Sequence, residues 1–211
     1  MRHAGPDTGG SSVAIVQVDS VGATLLRAAN QVLATEGPAA LTVRRIATAA
    51  GVSTMNVYSR FGGKDGVVEQ LYLEGFRRLS QAMLDVPLTD EPISDLRACG
   101  VAYRRFALDN PTYYALMFDG VVEFAPTPGA LQRAGETLGL LARRLERAMD
   151  AGVLAPGDPL STAASVWATC HGVVSLERRH LGPAVLDWEH VYHETGAALL
   201  RGLAVPAAEQ P

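Results

Sequence analysis

Apolar positions along this chain recur three and four residues apart, and strand-type alternation is nearly absent, so the pattern predicts helices throughout. Ser20 is placed to cap a first helix running to about Glu36, with Leu25, Ala28, Ala29, Val32 and Leu33 on one face. Gly37 followed by Pro38 stops it. Thr42 caps a second, short helix in which Val43, Ile46, Ala47 and Ala50 form an i, i+3, i+4, i+7 stripe ending at Gly51. Ser53 caps a third helix, with Val57 and Phe61 facing inward. Lys64 or Asp65 opens a long fourth helix to about Asp85, burying Val67, Val68, Leu71, Tyr72, Gly75, Phe76 and Leu79.

The break "DVPLTDEP" follows, and helices are expected over 93–108, 112–119, 131–151, 160–180 and 187–203. Asn110 and Pro111 suit the start of the short aromatic one. The outer face of 131–151 is expected to carry Arg143, Arg144 and Arg147. The fold class is therefore all-α, with about nine helices. Residues 1–19 read as a flexible tail with a turn of order near Val13 to Val18. Residues 20–66 read as a head, 67–204 as a larger helical body, and 205–211 as a tail.

Apolar residues make up 48% of the 211, enough for a sizeable core, and no run approaches the ~18–20 needed to span a membrane. The six-residue stretch "VAIVQV" lacks a following cleavage site, so no secretory leader is expected. Cys99 and Cys170 show no metal-ligand spacing and read as thiols of a reducing, cytoplasmic compartment. The formal charge of −4 hides an asymmetry: residues 20–66 carry net +3 and residues 67–211 carry −6. A small cationic head on an anionic body permits phosphate contact by the head alone.

Residues 42 to 61 read cap, helix, "AAGVS", short helix, which is a helix-turn-helix arrangement. Gly51 suits a turn needing positive φ. Val52, Val57 and Phe61 with Ile46 and Ala47 would join the two helices. The face left over, with Thr54, Met55, Asn56, Tyr58 and Ser59, can donate, accept or touch a thymine methyl in a major groove. Thr42 and Lys64 head helices, whose N-termini attract phosphate.

The stretch "ALTVRRIATAAGVSTMNVYSRFGGKDGVVEQLY", residues 40–72, resembles the N-terminal signature of the TetR family of one-component transcription regulators. The resemblance implies that Thr42, Tyr58 and Lys64 contact phosphates, with Arg44 and Arg45 adding backbone contacts. It implies that Thr54, Met55, Asn56 and Ser59, behind the Ser53 cap, lie at or near base edges. The recognition helix departs from a guanine-reading pattern, since only Arg60 could make a bidentate contact, so Asn56, methyl groups and DNA shape carry readout.

"DNPTYYALMF" and "WATCHGVVSLE" further resemble the C-terminal domain type named for Trp, His and Gly, here Trp167, His171 and Gly172. The family implies a homodimer through the last two helices and a small-molecule effector cavity. Tyr103, Phe106, Tyr113, Tyr114, Met117, Phe118, Trp167 and His171 are its candidate lining, though aromatics at helical spacing also build ordinary cores. The expected function is a repressor released from a pseudo-palindromic double-stranded DNA operator. The alternative is a helical adaptor acting through protein partners. Cys170 and His171 are neighbours on a helix and point about 100° apart, so no nucleophile–base pair forms there. His190 and His193, with Glu189 or Glu194, lack an HExxH pattern. No enzyme activity, cofactor or metal is expected.

Overall fold

The computed structural model describes residues 19–205; the expected order near Val13 to Val18 and most of the C-terminal tail lie outside the described residues. Among the described residues there are nine α-helices and no strand. Helix α1 spans Ser20–Glu36, α2 Val43–Ala50, α3 Thr54–Phe61 and α4 Lys64–Leu84. Helix α5 spans Pro92–Asp109 and α6 Pro111–Tyr114, which runs on into a wider π-helical turn over Ala115–Asp119. Helices α7, α8 and α9 cover Pro128–Asp150, Pro159–Arg178 and Trp188–Leu203. No helix here is long and apolar enough to cross a membrane.

Asp19, not Ser20, caps α1: its Oδ1 accepts the Gly22 N–H at 2.7 Å. The carboxylate adds a favourable charge at the helix N-terminus that a serine hydroxyl lacks. Thr42 caps α2 as expected, its hydroxyl accepting the Arg45 N–H at 3.2 Å. Gly51 ends α2 at φ +68°, a conformation that a Cβ would disfavour. Val52 N–H then returns to Ala47 O at 3.0 Å, fixing the angle at which α3 leaves. Leu25, Ile46, Val57, Val67 and Val68 are fully buried where α1 to α4 meet, with Val52 and Phe61 half-buried against them.

Every residue expected on the inner side of α4 is buried there, joined by Met83. The helix continues from the head into the body without a break, so the two parts share one rigid element. Gly75 is needed for close approach: a Cβ there would lie 2.5 Å from Met117 Sδ.

Two expectations for the body change. Asn110 holds the N-cap position of α6 as expected, but its side chain makes no cap bond there; the amide donates instead to Phe106 O at 3.0 Å, closing α5. Arg144 is buried rather than outward, its Nη2 donating to Met83 O at 2.8 Å and Val86 O at 2.5 Å. Met83 lies in the last turn of α4, where the helix leaves acceptors without internal partners, and Val86 lies two residues past its end. Arg147 pairs with buried Asp95 at 2.8 Å and also donates to Thr89 O. Only Arg143 of the three stays exposed.

Helix α8 spreads apolar residues round its circumference between Ser161, Thr162, Ser165 and Thr169, and within one chain only Ala163 and Val174 of it are buried. Leu160, Trp167 and Leu176 remain exposed.

Candidate nucleic-acid interface and effector cavity

Helix α3 is pinned by one side, through Val57, and presents the other. Met55 is 69% exposed and Tyr58 54%, the two largest apolar groups on this face, and Ser53, Thr54 and Ser59 are exposed beside them. Two exposed apolar groups on a short polar helix suit neither the core nor bulk water. They suit a groove that offers methyl groups, sugars and base edges. The Tyr58 ring lies beside the start of α4, where a Cβ at Gly63 would come within 3.9 Å of its Cε1. Lys64 is the next residue, so a phenol and an ammonium are neighbours at a helix N-terminus.

The cations divide into two classes. Arg45 makes a bidentate pair with Glu36, at 2.9 and 2.5 Å. Arg60 is likewise held by Asp19, at 2.9 and 2.8 Å, and its Nη1 donates to Asn56 Oδ1 at 2.8 Å. The Arg60 guanidinium holds the exposed Asp19 carboxyl down at about 2, helped by the Gly22 N–H. By contrast no ion pair joins Arg44 or Lys64 among the described residues. Arg44 is exposed and Lys64 half-exposed.

Asn56, expected at a base edge, has both ends of its amide engaged. Nδ2 donates to Ser53 Oγ at 3.1 Å while Oδ1 accepts from Arg60. Ser53 therefore occupies the cap position without a side-chain bond to a backbone N–H. This network fixes which way the Asn56 amide faces and leaves it one hydrogen and one lone pair free. Asp19, its outermost member, was absent from the expected site because it sits at the edge of the presumed tail. Its legible signal was an acidic residue directly ahead of an apolar helical stripe.

In the body, α4, α5, α7, α8, α9 and the π-turn enclose a cavity of about 430 Å³. Of the expected lining residues, Tyr103, Met117, Phe118 and Trp167 form its wall. Tyr114 and His171 stand directly behind it, with Tyr114 Oη 2.8 Å from His171 Nδ1 and the two rings stacked. Phe106 packs in the main core, and Tyr113 lies under the Arg78 guanidinium, 4.7 Å from the ring centre. Tyr72, Phe76 and Met83 of α4, Thr137 of α7 and Tyr192 and His193 of α9 are also in the wall. They escaped sequence reasoning because each sits on an ordinary amphipathic stripe. A usable signal was the small residues set mid-helix at Gly100, Gly135 and Gly196, all of which border the cavity.

Cys99 and Cys170 also face it. Burial pushes the Cys99 thiol up to about 11 and raises Cys170 as well, so both are poor nucleophiles. Burial lowers His171, keeping the imidazole neutral at pH 7. Among the described residues, no group of three or more His, Cys, Asp or Glu side chains could hold a metal ion.

The family model described as "Bacterial regulatory proteins, tetR family" matches residues 25–71, which include α2, α3 and the head of α4. A second, "Tetracyclin repressor-like, C-terminal domain", matches residues 96–199, which include most of the cavity wall. The chain belongs to the tetR family. It is a DNA-binding transcriptional regulator with a helix-turn-helix head and a helical C-terminal domain. The narrower Trp-His-Gly type is a subdivision that neither match resolves.

Solved structures of similar fold include a protein of unknown function from Rhodococcus sp. RHA1, 24% identical with a TM-score of 0.77, covering 94% of this chain and 100% of that one. The TetR family transcriptional regulator PfmR from Thermus thermophilus is 22% identical, with a TM-score of 0.66 and coverage of 86% and 99%. The fatty acid degradation regulator FadR from Bacillus halodurans is 21% identical, with a TM-score of 0.67 and coverage of 86% and 95%. At these identities the likeness is one of fold. A search of curated proteins returned no match.

Proposed function

We propose that this tetR-family regulator is a cytoplasmic, homodimeric repressor that leaves a pseudo-palindromic operator when a small molecule enters the body. One observation carries the reading: α4 bears Lys64 at its first residue and cavity-lining Tyr72, Phe76 and Met83 further along. A helix of this length spans about 30 Å, so it joins a phosphate-contacting end to a ligand-contacting side as one lever. A ligand that prefers one position of α4 shifts the head spacing, with a coupling of typically ~1–3 kcal/mol.

In this scheme residues 20–66 form the DNA-binding domain and the body binds effector. Thr42, Arg44, Tyr58 and Lys64 hold phosphates. Thr54, Met55 and Ser59 meet base edges, Asn56 reads with its free hydrogen and lone pair, and Arg45 and Arg60 brace the head through their carboxylates. The exposed Leu160, Trp167 and Leu176 of α8 support dimerisation, since apolar groups left open within one chain suit the face of a second copy. Two heads about 34–36 Å apart then read one face of the duplex.

Selection from a random duplex pool tests this reading, followed by sedimentation of the complex. A pseudo-palindrome bound by two chains is expected; a single unrepeated half-site bound by one chain would overturn it.

A further inference from the structure

The cavity carries a more specific message than its size, because the hydroxyl groups along its wall already have partners within the protein. Tyr103, in the wall, places its hydroxyl 3.1 Å from Tyr114 Oη and 3.1 Å from His171 Nδ1. Tyr114 Oη lies 2.8 Å from the same Nδ1. Taking Nδ1 as the acceptor on which the two phenols converge, the imidazole proton sits on Nε2, facing Ser175 Oγ at 3.3 Å. Both phenolic protons are then consumed inside the triad, whichever hydroxyl stands nearer the imidazole. The Tyr103 oxygen keeps acceptor capacity and has no proton to give.

The rest of the wall repeats the pattern. Tyr192 spends its proton on Gly100 O at 2.7 Å. Thr137 is paired with Ser80 at 2.8 Å. Among the lining side chains Arg97 is the one arginine or lysine, and it is exposed; His193 lines the space as well, while the buried Arg144 is not among the lining residues and donates to Met83 O and Val86 O. An exposed ion pair gains little, whereas a buried carboxylate without a cation is strongly disfavoured.

Resting on the reading of this cavity as an effector site, we propose that its ligand is an uncharged, predominantly apolar molecule whose hydrogen-bond donor is accepted by the Tyr103 oxygen. Six aromatic side chains in the wall, Tyr72, Phe76, Tyr103, Phe118, Trp167 and Tyr192, favour an aromatic body.

The test uses three matched probes: 4-pentylphenol, which donates; 4-pentylanisole, which only accepts; and 4-pentylbenzoate, which is charged. Calorimetric titration of the full chain is expected to rank the phenol about fivefold or more above the anisole, the size of one net hydrogen bond. The benzoate is expected to bind weakest. In Tyr103→Phe the phenol's advantage over the anisole disappears while anisole affinity stays unchanged. Equal binding of phenol and anisole to the parent protein would overturn the proposal. So would tightest binding of the benzoate, sensitive to Arg97→Ala, or binding of none of the three. The release reading is scored separately, on a selected duplex: if the phenol binds as ranked yet leaves DNA affinity unchanged, the ligand class holds and the release mechanism fails.

Discussion

Lys64→Ala gives the sharpest quantitative test of the interface. Of the four cations considered for DNA contact, Arg45 and Arg60 are held by Glu36 and Asp19, while Arg44 and Lys64 are without an ion pair among the described residues. A dimer then brings four free cations to the phosphates. Each neutralised phosphate contributes about −0.9 to the slope of log affinity against log salt, so the parent slope is expected near about −3.6. Raising salt from about 50 to 200 mM should weaken binding about 150-fold. Removing Lys64 from both heads takes away two contacts, leaving a slope of about −1.8 and a loss of about 12-fold over the same range. Fluorescence anisotropy with a labelled, selected duplex measures both slopes. An unchanged slope in the variant would refute the placement of Lys64 on a phosphate. A parent slope of about −7 would refute the division of cations, because it would require Arg45 and Arg60 to release their carboxylates on DNA.

Four further outcomes are expected. Asp19→Asn loosens Arg60 and with it the Asn56 amide, so repeated selection should return altered base preference at one position of each half-site, with generic DNA affinity retained. Gly75→Ala forces Met117 to move, and overpacking of this kind costs about 1–3 kcal/mol; the pliable thioether puts the cost at the low end, seen as a melting temperature a few degrees lower. Leu176→Glu places a charge on the uncovered side of α8 and should shift sedimentation from dimer to monomer without loss of helicity. Because burial holds His171 below its ordinary value of 6.5, the unfolded chain takes up that proton more readily. Stability is therefore complete above about pH 6.5 and declines as pH falls below it, seen as a falling melting temperature, and His171→Gln should flatten that decline.

The head was legible in the sequence because its signals are local. Thr42, Gly51 and the stripe from Val43 to Ala50 each act within a turn or two, and together they settle where α2 stops and α3 begins. The same locality explains what was missed. Arg60 meets Asp19 across 41 positions of sequence, and Arg144 meets the end of α4 across 61, distances over which periodicity is silent. Arg144 illustrates the physics: a helical wheel sees an arginine among polar neighbours, whereas the folded chain supplies it with two orphan carbonyls. The cavity was half legible. Tyr103 and Trp167 stand out by residue type, but Tyr72 and Phe76 on α4 look the same whether they meet another side chain or an open space.

If α3 reads sequence on two heads at once, the deciding quantity is a ratio of affinities. A selected duplex is compared with a scrambled duplex of the same composition, at near-physiological salt. The selected duplex is expected to bind about a thousandfold or more tightly, with scrambling of one half-site alone removing most of that advantage. A ratio near one would contradict sequence reading by α3.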